Sequence, residues 1–358
     1  MPDSAHPPHP ATPVDAVAPP SESARQDAAE RLAGLAVPAG ALGRLGDLAV
    51  WLAATQGVTP PRPVDRVHLV VFAGDHGVAD HGVSAYPKAV TPAMVRTIVS
   101  GRSGVSVLAA QHGVAVRVLD LGVDDDLADL EPATREAVRR HKVHRGSRPL
   151  HLEDALSADE VARALAIGAG VAREEVAAGA QLLLAGDLGI GNTTASAALV
   201  AAFLGLPAAE ATGRGTGVDD AGLAHKTAVV QQALERTRGR EEASDVLAAL
   251  GSADIAAMAG FLAEGARLGV PVLLDGLITV AAALAADRLA PGAAAWFAAG
   301  HRSTEPAQSL ALEKLGLEPL VDLGLRLGEG SGAVAAVPVL RSAALLLADV
   351  APLSEVLG

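Results

Sequence analysis

AQLLLAGDLGIGNTT, residues 180–194, runs from a short apolar stretch into a cluster of glycines and then into an alanine-rich segment. The stretch LLLAG has the length of a strand and is apolar on both faces, which is typical of a strand buried on both sides. Helix-like segments alternate with such stretches, which predicts a mainly parallel, Rossmann-like sheet with helices on both faces. The other stretches of this kind are VHLVVFAGDHG (67–77), VAVRVLDLGV (114–123), VPVLLDGLI (270–278) and AAAWFAAGHRSTE (293–305).

The two ends of the chain carry a helical pattern instead. Apolar residues recur at helical spacing over residues 25–56, with one Pro/Gly break, and predict a pair of packed helices. Residues 332–350 are apolar almost throughout and predict a helix buried against that pair. The predicted division is a disordered, Pro-rich tail (1–20), a small helical domain built from both ends (21–60 and 331–358) and a large α/β domain (61–330).

Composition restricts the class of partner. Half of the 358 residues are hydrophobic, 19% are charged and the net charge is −13. A surface this acidic argues against nucleic acid and against anionic membranes, because both are bound by basic surfaces. An anionic substrate would therefore have to be held by local devices, such as helix N-termini and a few cations.

The same composition restricts chemistry and location. The chain has no cysteine, which excludes disulfides, thiolate metal ligands and cysteine nucleophiles. No apolar run reaches about 18 residues, the length of a membrane-spanning helix, without a Gly, Pro or polar residue. The N-terminus has neither a basic nor an apolar leader segment. We therefore expect a cytoplasmic protein.

Ligands of such sheets lie at the carboxyl ends of the strands, where polar loops follow the apolar stretches. In the first loop, GDHGVADHGVSAYP (74–87), the His76 and His81 spacing is a weak metal signal. Its glycines and Tyr-Pro step favour a loop that folds closely over a ligand. The alternative is a tight turn in which Asp75 accepts backbone N–H bonds.

Two further loops could bind an anion. GDLGIGNTT (186–194) joins glycines directly to a helix start, which suits a phosphate or simple helix capping equally well. TGRGTGVDDAGLAHK (212–226) repeats the glycine pattern before Lys226. Spacing alone favours a solvated helix lysine at that position.

The last two loops carry carboxylates. LLDGLI (273–278) and GHRSTEP (300–306) place Asp275, His301, Ser303 and Glu305 at strand ends, and a Ser-His-Asp triad could be drawn from them. No G-x-S-x-G elbow supports that triad. In LRLGEGSGA (325–333), Glu329 lies between glycines at a helix start. The helix dipole alone would stabilise it, but burial by a ligand would raise its pKa towards that of a general base.

Together these loops resemble the nicotinate-nucleotide:dimethylbenzimidazole phosphoribosyltransferases of cobalamin assembly. The resemblance runs from about Arg25 to the C-terminus. It rests on five motifs in the same order: GDHGVADHGV, GDLGIGNTT, LLDGLI, GHRSTE and RLGEGSGA. It implies transfer of 5-phosphoribose from nicotinate mononucleotide to 5,6-dimethylbenzimidazole, an α/β fold with a small helical domain, and a homodimer. We expect neither a cofactor nor a metal.

The resemblance also implies roles for individual residues. Glu329 is expected to take the proton of the benzimidazole. The residues expected at the phosphate are Gly189, Gly191, Asn192, Thr193, Gly276 and Ser303, with Lys226 nearby. The residues expected to line the base pocket are Tyr86, Met94 and Leu327. Asp75, Asp187, Asp275 and Glu305 complete the expected substrate site, and the family often has Glu where this chain has Asp187.

Three other functions fit the same motifs. A phosphoribosyltransferase of this fold could use adenine or a phenol as the acceptor. A non-catalytic nucleotide sensor would keep the phosphate loop, although it would have no reason to keep Glu329. A nucleotide hydrolase would need water in a pocket lined by Met94 and Leu327, where water would be poorly held.

Overall fold

The computed structural model describes residues 16–357 and contains one parallel sheet. In those residues the sheet has six strands, in the spatial order 2-1-3-4-5-6. They are β1 (Val67–Gly74), β2 (Val114–Gly122), β3 (Leu182–Leu188), β4 (Val272–Leu274), β5 (Phe297–His301) and β6 (Pro319–Val321). The parallel sheet predicted from the apolar stretches is confirmed, and β6, which is only three residues long, was not predicted.

Helices cover both faces of the sheet. Alternate residues of β1 enter two separate hydrophobic clusters: Val70 and Phe72 enter one, and Leu69 and Val71 enter the other. The helices of the described chain are α1 (Glu22–Ala33), α2 (Arg44–Gln56), α3 (Val90–Val99), α4 (Gly104–His112), α5 (Pro132–Arg139), α6 (Ala158–Ala177), α7 (Asn192–Leu204), α8 (Ala208–Ala211), α9 (Asp220–Arg236), α10 (Ala243–Leu250), α11 (Ala253–Arg267), α12 (Leu277–Leu289), α13 (Pro306–Leu315), α14 (Ser331–Asp349) and α15 (Leu353–Leu357).

The strand order locates the ligand crevice. The chain passes from β1 to β2 on one side and then returns to β3 on the other side of β1. Loops that leave β1 and β3 therefore diverge to opposite faces and open a crevice at their carboxyl ends, which is where doubly wound sheets bind ligands. The first predicted loop follows β1 and the glycine loop of residues 189–191 follows β3.

The two chain ends pack together, as the helical pattern predicts. Helix α14 packs against α1 and α2. The guanidinium of Arg31 in α1 donates to Leu347 O at 2.6 Å and to Ala348 O at 2.8 Å, near the end of α14. The boundaries between the small helical domain and the large domain remain a prediction.

By length and composition, α14 could cross a membrane, yet 56% of its most apolar window is buried. Leu340 and Leu347 are fully buried within it, and Arg341 donates to Val64 O at 2.8 Å. These contacts are those of a core helix.

The predicted disordered tail lies mostly outside the described residues. Within residues 16–20, Val17 is buried and its N–H donates to Pro291 O at 2.8 Å. Trp296 Nε1 donates to Ala18 O at 2.9 Å. These contacts hold the described end of that segment against the connection that leads into β5.

Candidate active site

Two loops meet at the carboxyl ends of β1 and β3. A Cβ atom on Gly189 would lie 2.0 Å from Gly74 O, so the glycine allows the two loops to touch. The N–H of Ile190 donates to Thr91 Oγ1 at 3.1 Å, which fixes the start of α3 beside the same loop. Gly191 is the N-cap of α7 with a φ of 97°, and no side chain caps this helix. The simple side-chain capping considered for this loop is therefore absent.

Glu329 lies on the turn before α14, in contact with β3. Its N–H donates to Asp187 O at 3.1 Å. A Cβ atom on Gly186 would lie 2.3 Å from Glu329 O, so only glycine at position 186 permits this contact. The φ of Glu329 is 62°, and left-handed backbone costs a non-glycine residue about 1–2 kcal/mol. Such strain persists where the surroundings impose it, and it is concentrated at functional sites.

The carboxylate of Glu329 lies at the N-terminus of α4, not of α14. It is 3% exposed, and Oε2 accepts a hydrogen bond from Val105 N at 3.2 Å. Burial raises the pKa of Glu329, while the Val105 N–H and the Ser103 hydroxyl lower it and the nearby Asp275 raises it further; the net shift is upward. The result is a carboxylate that is more basic than an exposed glutamate and is held in place by a helix N-terminus.

Asp187 is a second buried carboxyl beside Glu329. Its Oδ2 accepts from Asn192 Nδ2 at 2.7 Å, and its Oδ1 has no partner among the described residues. Burial raises its pKa well above the usual range, and Asp275, Asp254 and Glu329 add to the effect. Asn192 directs its side-chain amide towards this carboxyl, so a contact between Asn192 and a phosphate remains a prediction.

Asp275, fully buried at the end of β4, holds the turn that carries Glu329. Its two oxygens accept from Gly330 N at 3.1 Å and Ala333 N at 2.9 Å in the first turn of α14. Burial raises its pKa, and His301, whose Nε2 lies 3.5 Å from Oδ1, opposes that shift. Direct contact between Asp275 and a substrate stays a prediction.

The triad drawn from Asp275, His301 and Ser303 is not assembled. Ser303 Oγ accepts from Glu305 N at 3.2 Å. His301 Nδ1 has no hydrogen-bond partner within residues 16–357, so the serine is not linked to the imidazole. The site therefore offers no activated serine nucleophile.

Lys226 is fully buried in α9, and the solvated-lysine interpretation is wrong. Its Nζ donates to Thr193 Oγ1 at 2.8 Å, at the start of α7. Burial lowers the pKa of Lys226 to about 8, and Glu305 opposes that shift. Glu305 itself accepts from Gly215 N at 2.7 Å. A glycine loop thus covers a buried cation that is joined to a hydroxyl, an arrangement suited to a phosphate.

Gly276 and Ser303 are neighbours although they follow different strands. A Cβ atom on Gly276 would lie 4.0 Å from Ser303 Cβ and 3.5 Å from His301 Nε2. Gly276 is also the N-cap of α12 and has no side-chain cap. The structure therefore brings together two of the residues predicted at the phosphate.

The first loop contains no metal-binding group. Asp75 Oδ2 accepts from Asp124 N at 2.7 Å, so it ties this loop to the one that follows β2, and burial raises its pKa. His76 Nε2 lies 3.4 Å from Asp254 Oδ2, whereas the His81 ring contacts that of His151 at 4.5 Å between centroids. Over the described residues, no group of three or more His, Asp or Glu is arranged to hold a metal ion.

The predicted base pocket is open. Tyr86 is 55% exposed, Leu327 is 54% exposed, and Met94 is half-buried on α3. A Cβ atom on Gly104 would lie 2.7 Å from Leu327 Cδ2, so Leu327 and Glu329 both contact the start of α4. The structure thus places Leu327 beside Glu329. Tyr86 and Met94 belong to the segment after β1.

Comparisons with known proteins agree with this geometry. The family model described as phosphoribosyltransferase matches residues 17–356. A nicotinate-nucleotide–dimethylbenzimidazole phosphoribosyltransferase of Mycolicibacterium paratuberculosis is 51% identical over 340 residues, covering 95% of this chain and 96% of the relative. The chain belongs to this phosphoribosyltransferase family.

Further relatives support the assignment. The Mycobacterium tuberculosis enzyme of the same name is 50% identical over 97% of this chain and 93% of its own length. The crystal structure of the nicotinate-nucleotide-dimethylbenzimidazole phosphoribosyltransferase from Thermus thermophilus superposes with a TM-score of 0.88 at 42% identity, covering 94% of this chain and 98% of that chain. The predicted fold class and the prediction of a phosphoribosyltransferase are confirmed.

Sequence reasoning missed the groups that hold Glu329. Ser103, the N-cap of α4, and the Val105 N–H lie 224 or more positions before Glu329 in the chain. A serine before an apolar segment is a recognisable helix-start signal. No local pattern could show that this helix start faces Glu329.

Proposed function

We propose that the chain transfers the 5-phosphoribosyl group of nicotinate mononucleotide to 5,6-dimethylbenzimidazole, releasing nicotinate and α-ribazole 5'-phosphate. The observation that carries the proposal is the buried carboxylate of Glu329 at the N-terminus of α4. The buried Lys226–Thr193 pair supports it from the same edge of the sheet. The names of the relatives support the identity of both substrates.

The chemistry needs placement more than a strong nucleophile. The bond from C1' to the pyridinium nitrogen is weakened by the positive charge of the ring, and its electron pair leaves with nicotinate. The lone pair of one benzimidazole nitrogen forms the new bond to C1' from the opposite face, which converts the β to the α configuration. Holding the two reactants in line supplies much of the acceleration.

Glu329 takes the proton from the second benzimidazole nitrogen. Without that transfer the product would keep a positive charge on its new base. Burial makes the carboxylate a better base, while the Val105 N–H orients it and, together with the Ser103 hydroxyl, favours its ionised form. Burial and the neighbouring carboxylates also raise the pKa of Asp187, which favours its protonated form and so limits the negative charge beside Glu329.

The phosphate is bound at the other end of the site. Lys226 and Thr193 supply a buried ammonium and a hydroxyl, and the glycines at 189 and 191 allow close approach of the backbone. Gly276 and Ser303 approach from the ends of β4 and β5. This end of the site binds the phosphate through one local positive charge and backbone N–H groups. These offset the repulsion that a protein with a net charge of −13 exerts on an anion.

Incubation of the purified protein with nicotinate mononucleotide and a panel of acceptors tests the proposal. Dimethylbenzimidazole, adenine, a phenol and no acceptor form the panel, and products are identified by mass and by the anomeric proton signal. We expect nicotinate and the α-nucleotide of dimethylbenzimidazole. Release of nicotinate at the same rate without an acceptor would indicate a hydrolase instead.

We infer that the enzyme acts as a homodimer. An open cavity of about 540 Å³ lies between α1, α2 and their connection, with Leu32, Val37 and Leu42 in its lining. Leu353, Val356 and Leu357 at the C-terminal end are also exposed. Light scattering on the eluting protein would test this state. A cytoplasmic location remains a prediction, which cell fractionation would test.

A further inference from the structure

Gln308 links two loops of the candidate site through its side-chain amide. It lies in the first turns of α13, and its side chain is fully buried. Its Nε2 donates to Asp275 O at 3.1 Å and to His301 O at 2.9 Å, and its Oε1 accepts from Ser303 N at 2.6 Å. One carboxamide therefore bonds to three backbone groups from two loops of the candidate site.

These bonds lie where the sheet ends. Between β4 and β5 the paired register ends at Leu274 and Ala299, whereas β5 stays paired with β6 as far as His301 and Val321. Asp275 directly follows β4 and His301 is the last residue of β5, so both carbonyls lie beyond the paired part of these two strands. There they need donors from outside the β4–β5 ladder, because buried carbonyls are rarely left unpaired. The two amide hydrogens of Gln308 supply them. The glutamine side chain thus links the two strands just beyond the end of their ladder.

We propose that Gln308 is a positioning residue, which sets the spacing of Gly276 and Ser303 so that both reach the same phosphate. Asp275 precedes Gly276, and His301 is two residues before Ser303, so the carboxamide holds the backbone on both sides. The Gly276 and Ser303 positions lie within 4.0 Å of each other when a Cβ is placed on the glycine. This proposal rests on the phosphate assignment of the proposed function.

Loss of the carboxamide has a specific consequence. Two buried carbonyls and one N–H would lose their partners, and such groups regain partners by moving towards solvent. Ser303 is half-buried, so its loop is the part that can move. Glu329 and Leu327 contact the start of α4 and not Gln308. Gln308 reaches the Glu329 turn only through the backbone carbonyl of Asp275, whose side chain stays bonded to Gly330 N and Ala333 N. The defect should therefore affect nicotinate mononucleotide and spare the base.

Gln308→Met tests this directly, because methionine has a similar length and no amide. We expect the KM for nicotinate mononucleotide to rise about tenfold or more, because small misplacements of binding groups have effects of this size or larger. The Ki of inorganic phosphate should rise in parallel. The KM for dimethylbenzimidazole and the acidic limb of the kcat profile should stay as in the unsubstituted enzyme.

Gln308→Glu provides a second variant with a pH readout. As a carboxylate it would face two carbonyls without a hydrogen to donate, whereas its protonated form donates to one of them. The KM for nicotinate mononucleotide, expressed relative to the unsubstituted enzyme at each pH, should therefore fall as the pH is lowered. A residue that only filled space would not show this recovery.

Thr279→Val is the matched control. Thr279 is also fully buried, and its hydroxyl donates to Ala185 O in the middle of β3 at 3.2 Å. Its loss should lower stability without changing the ratio of the two KM values. If Gln308→Met folds and its KM for nicotinate mononucleotide is unchanged, or if both KM values rise equally, the positioning role is wrong.

A double-mutant cycle with Ser303→Ala separates this proposal from the proposed function. Because both substitutions disturb the same phosphate contact, the pair should be less harmful than the product of the single effects. If the two rises in the KM for nicotinate mononucleotide simply multiplied in the double variant, the positioning role would be wrong and the transferase assignment would stand. Absence of turnover in the unsubstituted protein would instead overturn the proposed function.

Discussion

The carboxylate of Glu329 accepts the backbone N–H of Val105 at 3.2 Å, so the turn before α14 is held by the start of α4. The contact joins two segments that lie 224 positions apart in the chain. Within residues 16–357 no Lys, Arg or His forms an ion pair with Glu329, so a hydrogen bond at a helix N-terminus favours the ionised form against the burial that raises its pKa. A base held in this way can accept a proton without first breaking a salt bridge.

Ser103→Ala should move the acidic limb of the kcat profile to higher pH. The Ser103 hydroxyl lowers the pKa of Glu329, so its removal leaves the upward shift caused by burial less opposed. A general base must be deprotonated, and activity at low pH is therefore lost first. Measurement of kcat from about pH 5 to 9 checks the direction. As the N-cap of α4, Ser103 also contributes stability, and its loss should cost about 1 kcal/mol.

Ser21→Ala is the control for that experiment. Ser21 is the N-cap of α1, in the N-terminal helix pair, and accepts from Ala24 N at 3.2 Å. It should show a similar loss of stability with no movement of the acidic limb. An equal movement in both variants would mean that the limb reports stability and not Glu329.

Binding of nicotinate mononucleotide should be accompanied by proton uptake above about pH 8. Burial lowers the pKa of Lys226 to about 8, so above that pH the free enzyme holds this lysine largely neutral. A bound phosphate dianion favours the ammonium form of Lys226. Above about pH 8 the affinity for nicotinate mononucleotide should therefore fall by up to about tenfold per pH unit. Calorimetry at about pH 8.5 in buffers of different ionisation enthalpy measures the uptake. Lys226→Ala should abolish it, and equal uptake in both proteins would exclude Lys226 from the phosphate.

Gly104→Ala should weaken binding of the base without unfolding the protein. The new Cβ would lie 2.7 Å from Leu327 Cδ2, and this exposed side chain can swing away from its present position. The KM for dimethylbenzimidazole should rise about fivefold or more, while that for nicotinate mononucleotide stays unchanged. Gly170→Ala, a helical position with open space around it, is the matched control. Unchanged KM values in Gly104→Ala would remove Leu327 from the base pocket.

Acceptors should rank as dimethylbenzimidazole, benzimidazole and adenine in kcat/KM. The two methyl groups contribute about 1–3 kcal/mol in a hydrophobic pocket. The extra ring nitrogens and amino group of adenine need partners that Met94 and Leu327 cannot offer. Competition assays with pairs of acceptors measure the order. Adenine as the best acceptor would contradict this base pocket and leave the phosphoribosyl chemistry intact.

The sequence predicted the elements more completely than the contacts between them. Apolar stretches of strand length revealed five of the strands, because burial on both faces leaves a pattern in the residues themselves. The three residues of β6 are too few to carry such a pattern. Lys226 occupies a helix with small and polar neighbours, so its complete burial depends on packing against Thr193 and Glu305, which spacing cannot show.

In the candidate site, too, the sequence predicted individual residues but not their partners. The glycine loop and Glu329 were predicted because their residue types are unusual at a helix start. Their partners were not, since Val105 contributes only a backbone N–H and Gln308 has an unremarkable position in α13. Contacts made by the backbone leave little trace in residue type.

Glu329→Gln tests the central claim most directly. Glutamine keeps the shape and removes proton acceptance, so the variant should bind nicotinate mononucleotide with unchanged affinity. Its kcat should fall by about 10²–10⁴-fold, and the acidic limb of the pH profile should disappear with it. Calorimetric binding and kcat on the same preparation measure both. A variant that retained the unsubstituted kcat would contradict the role of Glu329 as the base.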